Sequence, residues 1–70
     1  MVRVVEVNGY KIERGADLNG ANLTRANLTK ADLTDANLSN ANLRDANLTG
    51  ANLSNTNFKG ATMPDGTIHD

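Results

Sequence analysis

His69 is the one histidine of the chain, and cysteine is absent. Those two facts bound the chemistry. A protein metal site needs several converging ligands, and neither a second imidazole nor a thiolate exists to join His69. It reads as an exposed terminal residue. The carboxylates give Asp32 and Asp35 close in sequence, and Asp45 beside Arg44. A hydrolytic acid–base pair needs a cleft to hold substrate between its members. Gly20, Gly50 and Gly60 are spaced along the chain, yet no helix-opening phosphate loop follows any of them. They read as turn residues. Asn22, Asn27, Asn37, Asn47 and Asn52 each head an Asn-Leu-Thr/Ser triplet matching the N-glycosylation pattern. A secretory signal would have to accompany those triplets for them to matter, and a simple repeat generates them unaided. The expected set of catalytic, cofactor and metal residues is therefore empty.

The spacing of these residues has one source. From Ala16 to Asp70 the chain repeats every five residues, eleven times without insertion: ADLNG ANLTR ANLTK ADLTD ANLSN ANLRD ANLTG ANLSN TNFKG ATMPD GTIHD. Ala holds the first place in nine units and Asn or Asp the second in nine. The third place is always a large apolar residue, from Leu18 through Leu53 to Phe58, Met63 and Ile68. Five residues advance an α-helix by about 500°, which scatters the leucines around its circumference. In a flat strand an odd period sends them to alternate faces. A path that bends once per unit satisfies the pattern and turns every third place inward. Such a path is a solenoid with coils stacked about 4.8 Å apart.

The motif A-[DN]-L-x-x over Ala16 to Asp70 resembles that of the pentapeptide-repeat family. The resemblance implies an all-β fold: a right-handed quadrilateral parallel β-helix with four units per coil. First and third places then face inward and the other three face solvent. On that geometry residues twenty apart stack. Leu18, Leu38 and Phe58 share one column, Leu23, Leu43 and Met63 the next, Leu28, Leu48 and Ile68 a third, and Leu33 with Leu53 the fourth. Eleven units make about 2.75 coils, a stack roughly 13 Å long. Arg25 comes to lie near Asp45, an expected cross-coil ion pair worth under about 1 kcal/mol. A filled rod has no cleft, so the carboxylates lose their catalytic reading.

The ends depart from the period. Residues 1–15 fall outside it, since the third-place frame extended backward lands on Glu13 while the apolar residue is Ile12. Val2, Val4 and Val5 are β-branched, and Asn8-Gly9 is a strong hairpin turn. Residues 2–12 are expected to form a short hairpin-like cap, with Tyr10 and Ile12 over the first coil. An uncovered coil would invite edge pairing. At the other end Pro64-Asp65-Gly66 is a turn signal. Met1–Gly15 and Ala16–Asp70 are thus expected to be a cap and a repeat array.

Charge limits the partners. The whole chain carries −1. The array carries six acids and four bases of mixed order. A basic stripe for nucleic acid is missing. No run approaches the length of a membrane span or signal core, which suits a soluble cytoplasmic protein. Three function classes compete. A non-catalytic structural or protein-interaction module with a polar surface fits best, its protein partner unidentified. The family also includes DNA-mimic proteins that bind gyrase, a type II topoisomerase; this chain is shorter, nearly neutral and without looped insertions. An enzyme fits worst, and no cofactor is expected. The interrupted Thr and Asn columns do not make a regular ice-binding face. For assembly, the expectations are a monomer or a weak end-to-end homodimer through the C-terminal coil.

Overall fold

The computed structural model describes residues 5–70. Val2 and Val4 of the expected hairpin lie outside the described residues. The array is a β-helix with twenty residues per coil. Second-place residues pair in parallel with their counterparts twenty positions on: Asp17 with Asn37, Asn37 with Asn57, Asn22 with Asn42, Asn42 with Thr62, Asn27 with Asn47, and Asp32 with Asn52. The ladder between coils is regular. The Leu18 N–H donates to the Asn37 carbonyl at 2.7 Å, and the Asn37 N–H returns to the Ala16 carbonyl at 2.9 Å.

Each unit bends through a tight turn. The first-place N–H donates to the preceding third-place carbonyl, as Ala21 does to Leu18 at 3.0 Å. Fifth-place residues from Gly20 to Gly60 all have positive φ. A positive φ at the third turn position is the mark of a type II turn. Gly, Asn and Asp adopt it readily, which explains their prevalence there. The same turn already holds at Glu13–Ala16, where the Ala16 N–H donates to the Glu13 carbonyl at 3.1 Å and Gly15 has φ 70°.

The axis is filled by Leu18, Leu23, Leu28, Leu33, Leu38 and Leu43, with small alanines between them, and the buried set includes no polar or charged side chain among the described residues. Ala at the first place lets the walls close onto the leucines at crystal-like density.

Before the array, β1 (Val5–Val7) and β2 (Tyr10–Ile12) form an antiparallel hairpin. Asn8 at φ 53° and Gly9 at φ 84° make its two-residue turn, as a twisted hairpin requires. Ile12 is buried in the core, and Val7 and Tyr10 pack against it. The hairpin also addresses the backbone of the first coil. Asn22 has no preceding coil to pair with. The Tyr10 hydroxyl accepts its N–H at 3.4 Å, and Asn8 Nδ2 donates to its carbonyl at 3.2 Å. Two side chains thus stand in for a missing strand.

The last unit departs from the expected stacking. The five-residue frame puts Ile68 in the column of Leu28 and Leu48, but it is 64% exposed. The chain doubles back instead. Gly66 N–H donates to the Met63 carbonyl at 2.8 Å, Met63 N–H to the Thr67 carbonyl at 2.7 Å, and Thr62 pairs antiparallel with Ile68. The cause is a shift of the left-handed residue. Asp65 is not left-handed, and Gly66, one place later, has φ 87°. That converts the repeat turn into a type I turn followed by a left-handed residue, a three-residue hairpin loop. Pro64 suits its second position.

Candidate interaction surface

The second-place Asn and Asp do more than face solvent. Each turns its Oδ1 back to accept the N–H two residues on: Asn22 from Thr24 at 3.2 Å, Asn42 from Arg44 at 3.0 Å, Asn52 from Ser54 at 3.1 Å. This Asx turn presets the bend and is the reason the second place is so restricted. Where Thr or Ser follows, its hydroxyl often donates to the same oxygen, as Thr29 does to Asn27 at 2.6 Å. With Oδ1 occupied, the amide nitrogens of exposed Asn22, Asn27, Asn42, Asn47 and Asn52 are left toward solvent. Stacked pairs such as Asn27 and Asn47 repeat the donor at the strand spacing of about 4.8 Å. Short-range sequence reasoning missed the inward bond; an Asx residue two before a turn was its signal.

The same bonds act on the acids. Asp32 is held below the usual carboxylate value by the Thr34 hydroxyl and N–H, with a smaller push from Arg14. Asp65 is lowered in the same way by Thr67. Both carboxylates serve as turn acceptors. Among the described residues, no ion pair within 4.0 Å joins Arg25 to Asp45. The backbones do stack, with the Arg25 N–H donating to the Arg44 carbonyl at 2.8 Å, but the corner directs the two side chains into solvent, where pairing gains little.

His69 is exposed, as expected, yet not idle. Its backbone completes the doubled-back strand, with N–H to the Ala61 carbonyl and carbonyl from the Gly60 N–H, both at 2.8 Å. Its ring lies 5.8 Å from the Phe58 ring, tilted by 42°. An open hollow of about 570 Å³ lies beside it, bordered by Lys59 and Asp70. A second, of about 640 Å³, lies near the hairpin between Val5, Ile12, Arg14 and Lys30. Ser39, His69 and Asp70 all line the first hollow, but the Ser39 hydroxyl donates to Asn37 Oδ1 and accepts from Asn19 Nδ2, both at 2.6 Å, and is not paired with the imidazole; Ser, Thr, Cys and His are missing from the lining of the second. No cluster of three metal-ligating side chains occurs among the described residues. No helix is long and apolar enough to cross a membrane.

The final coil is the least finished surface. Leu48, Leu53, Phe58 and Met63 are only half-buried, whereas their counterparts one coil earlier are sealed. Thr56 takes the place of an alanine there, and its hydroxyl donates to the Leu33 carbonyl at 2.9 Å. Nothing in the repeat pattern signals that bond.

No curated protein matches the chain. A crystal structure that it resembles is HetL, a pentapeptide repeat protein involved in heterocyst differentiation regulation from the cyanobacterium Nostoc sp. strain PCC 7120. The identity is 39%, the alignment covers 80% of this chain and 33% of HetL, and the TM-score is 0.48. The chain thus spans about a third of the length of that protein. The profile of pentapeptide repeats matches in eight copies, across residues 14–45 and 26–65. With so much of its length matched, the chain belongs to the pentapeptide-repeat family.

Proposed function

We propose that this chain is a non-catalytic protein-interaction module: a right-handed, four-sided β-helix, capped by residues 1–15, that meets a cytoplasmic protein partner through its polar faces. One observation carries the reading. The interior holds only packed apolar side chains among the described residues, so every group able to recognise a ligand lies on the outside. What lies there is a lattice of amide donors fixed by Asx turns. Such donors are prepaid in conformational entropy, which favours binding to carbonyl-rich protein surfaces.

The test separates donor from scaffold. Asn→Asp at positions 27 and 47 keeps the Oδ1 that closes each turn, as Asp32 does naturally, and removes the outward N–H. Affinity capture from the native cell is expected to recover a specific partner with the parent chain and to lose it with the double variant, with a melt taken beside it because the two stacked carboxylates repel and lower the midpoint without unfolding the chain. Equal capture by both would refute a role for the amide lattice. The gyrase-directed alternative predicts inhibition of DNA supercoiling. The mixed charges of the array, six acids against four bases, favour no such effect.

A further inference from the structure

Asn-Gly occurs twice in the chain, at Asn8-Gly9 and at Asn19-Gly20. The pair is chemically unstable. The glycine amide nitrogen attacks the asparagine Cγ, and glycine, with no Cβ, hinders that attack least. All four residues are exposed, so solvent access does not separate the two sites. Hydrogen bonding does. The Gly20 N–H donates to the Ser39 carbonyl at 2.9 Å, and Asn19 Nδ2 donates to the Ser39 hydroxyl at 2.6 Å. Nucleophile and electrophile of that pair are both tied to the next coil. The Gly9 N–H, by contrast, has no acceptor among the described residues. The Asn8 side chain is held by one exposed bond, from Nδ2 to the Asn22 carbonyl at 3.2 Å. Asn8 and Gly9 also form the tip of a two-residue hairpin turn, where local opening costs least.

We propose that Asn8 is a site of spontaneous deamidation, and that the reaction unlatches the hairpin from the first coil. Gly9 N forms a bond to Asn8 Cγ, and the Cγ–Nδ2 bond breaks. The Gly9 amide proton leaves with Nδ2 as ammonia, and a cyclic succinimide remains. Water then opens the ring at either carbonyl, giving aspartate or isoaspartate; no oxidant or reductant takes part. Either product replaces the amide by a carboxylate. The donor to the Asn22 carbonyl is lost, and a negative oxygen stands near that carbonyl instead. Isoaspartate goes further, because its chain runs through the former side chain and gains a backbone carbon. The two-residue turn that pairs Val7 with Tyr10 does not accommodate the added atom. The register of Tyr10 then shifts, and its hydroxyl leaves the Asn22 N–H from which it accepts at 3.4 Å. Asn22 thus loses both partners in one event, and the first coil acquires an open edge. The fold carries a slow, one-way release of its own cap. No partner takes part, so this reading stands apart from that of the amide lattice.

Incubation of the full chain at mildly alkaline pH, followed by peptide mapping with mass spectrometry, tests the site. Exchange of the amide for a hydroxyl raises the peptide mass, and chromatography separates aspartate from isoaspartate. In the folded chain Asn8 is expected to convert about tenfold or more faster than Asn19, since each further hydrogen bond that must open slows the reaction. In concentrated urea, with the fold lost, the two rates should converge. Equal rates in the fold, faster conversion at Asn19, or no conversion at Asn8 while the unfolded chain reacts would each overturn the inference. The release is read on the product. The deamidated chain, separated by its extra negative charge, is expected to show faster hydrogen exchange in the two hairpin strands and at Asn22, with exchange around Leu38 unchanged. Asn8→Asp makes the aspartate product directly and should give the same pattern in weaker form, because its turn keeps its length. Parent-like exchange in the isoaspartate product overturns the unlatching.

Discussion

Truncating Leu38 to alanine probes the stacking of coils at its centre. Leu38 is fully buried, in the column between Leu18 and Phe58. Its unit is bonded on both sides: Asn37 donates to Ala16 below, and Leu38 donates to Asn57 above at 2.7 Å. The walls cannot collapse into the vacated volume without breaking that ladder. The loss therefore includes a cavity as well as a transfer contribution, and a cost of about 2–5 kcal/mol is expected. A chain of this length has a total stability of about 3.5–10 kcal/mol. The variant would thus lose about a fifth or more of its stability, and would unfold where the cost exceeds a total near the lower bound. Urea denaturation followed by circular dichroism gives the measurement. With a slope near 1 kcal/mol/M for so small a protein, the midpoint should fall by about 2 M or more. Leu53→Ala supplies the comparison. Leu53 is half-buried at the open end, so its truncation leaves no enclosed void and costs clearly less. A Leu38→Ala loss below about 1 kcal/mol, or equal losses at the two sites, would refute the column argument.

Three further outcomes are expected. Lys30 holds φ 60° in a turn position where Asn and Gly are at ease, so Lys30→Asn should stabilise the fold by up to about 1 kcal/mol, read as a rise in urea midpoint. Gly60→Ala should destabilise more than Gly20→Ala: both sites have positive φ, but a Cβ at Gly60 would stand 2.5 Å from Asn40 Oδ1 while one at Gly20 meets nothing within 4 Å. In acid, the lowered Asp32 and Asp65 carboxyls contribute stability that is present above their ordinary value of 3.8 and is lost as pH falls through the lowered folded value; Asp32→Asn keeps the turn acceptor and should flatten that part of the acid melt.

The period-five frame made the inward columns legible because one apolar place per unit admits a single inward direction. Asn8-Gly9 made the hairpin legible because few dipeptides tolerate two consecutive positive φ values. The tail was harder. Ile68 occupies a third place and so matches the template, while the residue that expels it is Gly66, two positions earlier. A shift of one place in the left-handed residue reverses the chain, and a pattern of side-chain polarity does not record backbone handedness. The Pro64-Asp65-Gly66 turn signal held the answer. The open side at Leu48 then follows from the reversal, so it was hidden for the same reason. The Tyr10 and Asn8 bonds to Asn22 depend on where the hairpin lands, which only packing decides.

The twenty-residue coil sets rules for how such a gene changes in length. Duplicating five codons leaves the ladder intact but passes every downstream residue to the next face, so that a surface assembled from Asn27 and Asn47 is dispersed. Duplicating twenty restores each column to its former heading and merely lengthens the rod. Replication slippage within so repetitive a coding sequence supplies both kinds of event. Selection for a binding face should therefore favour steps of twenty, whereas selection for folding alone would accept any multiple of five.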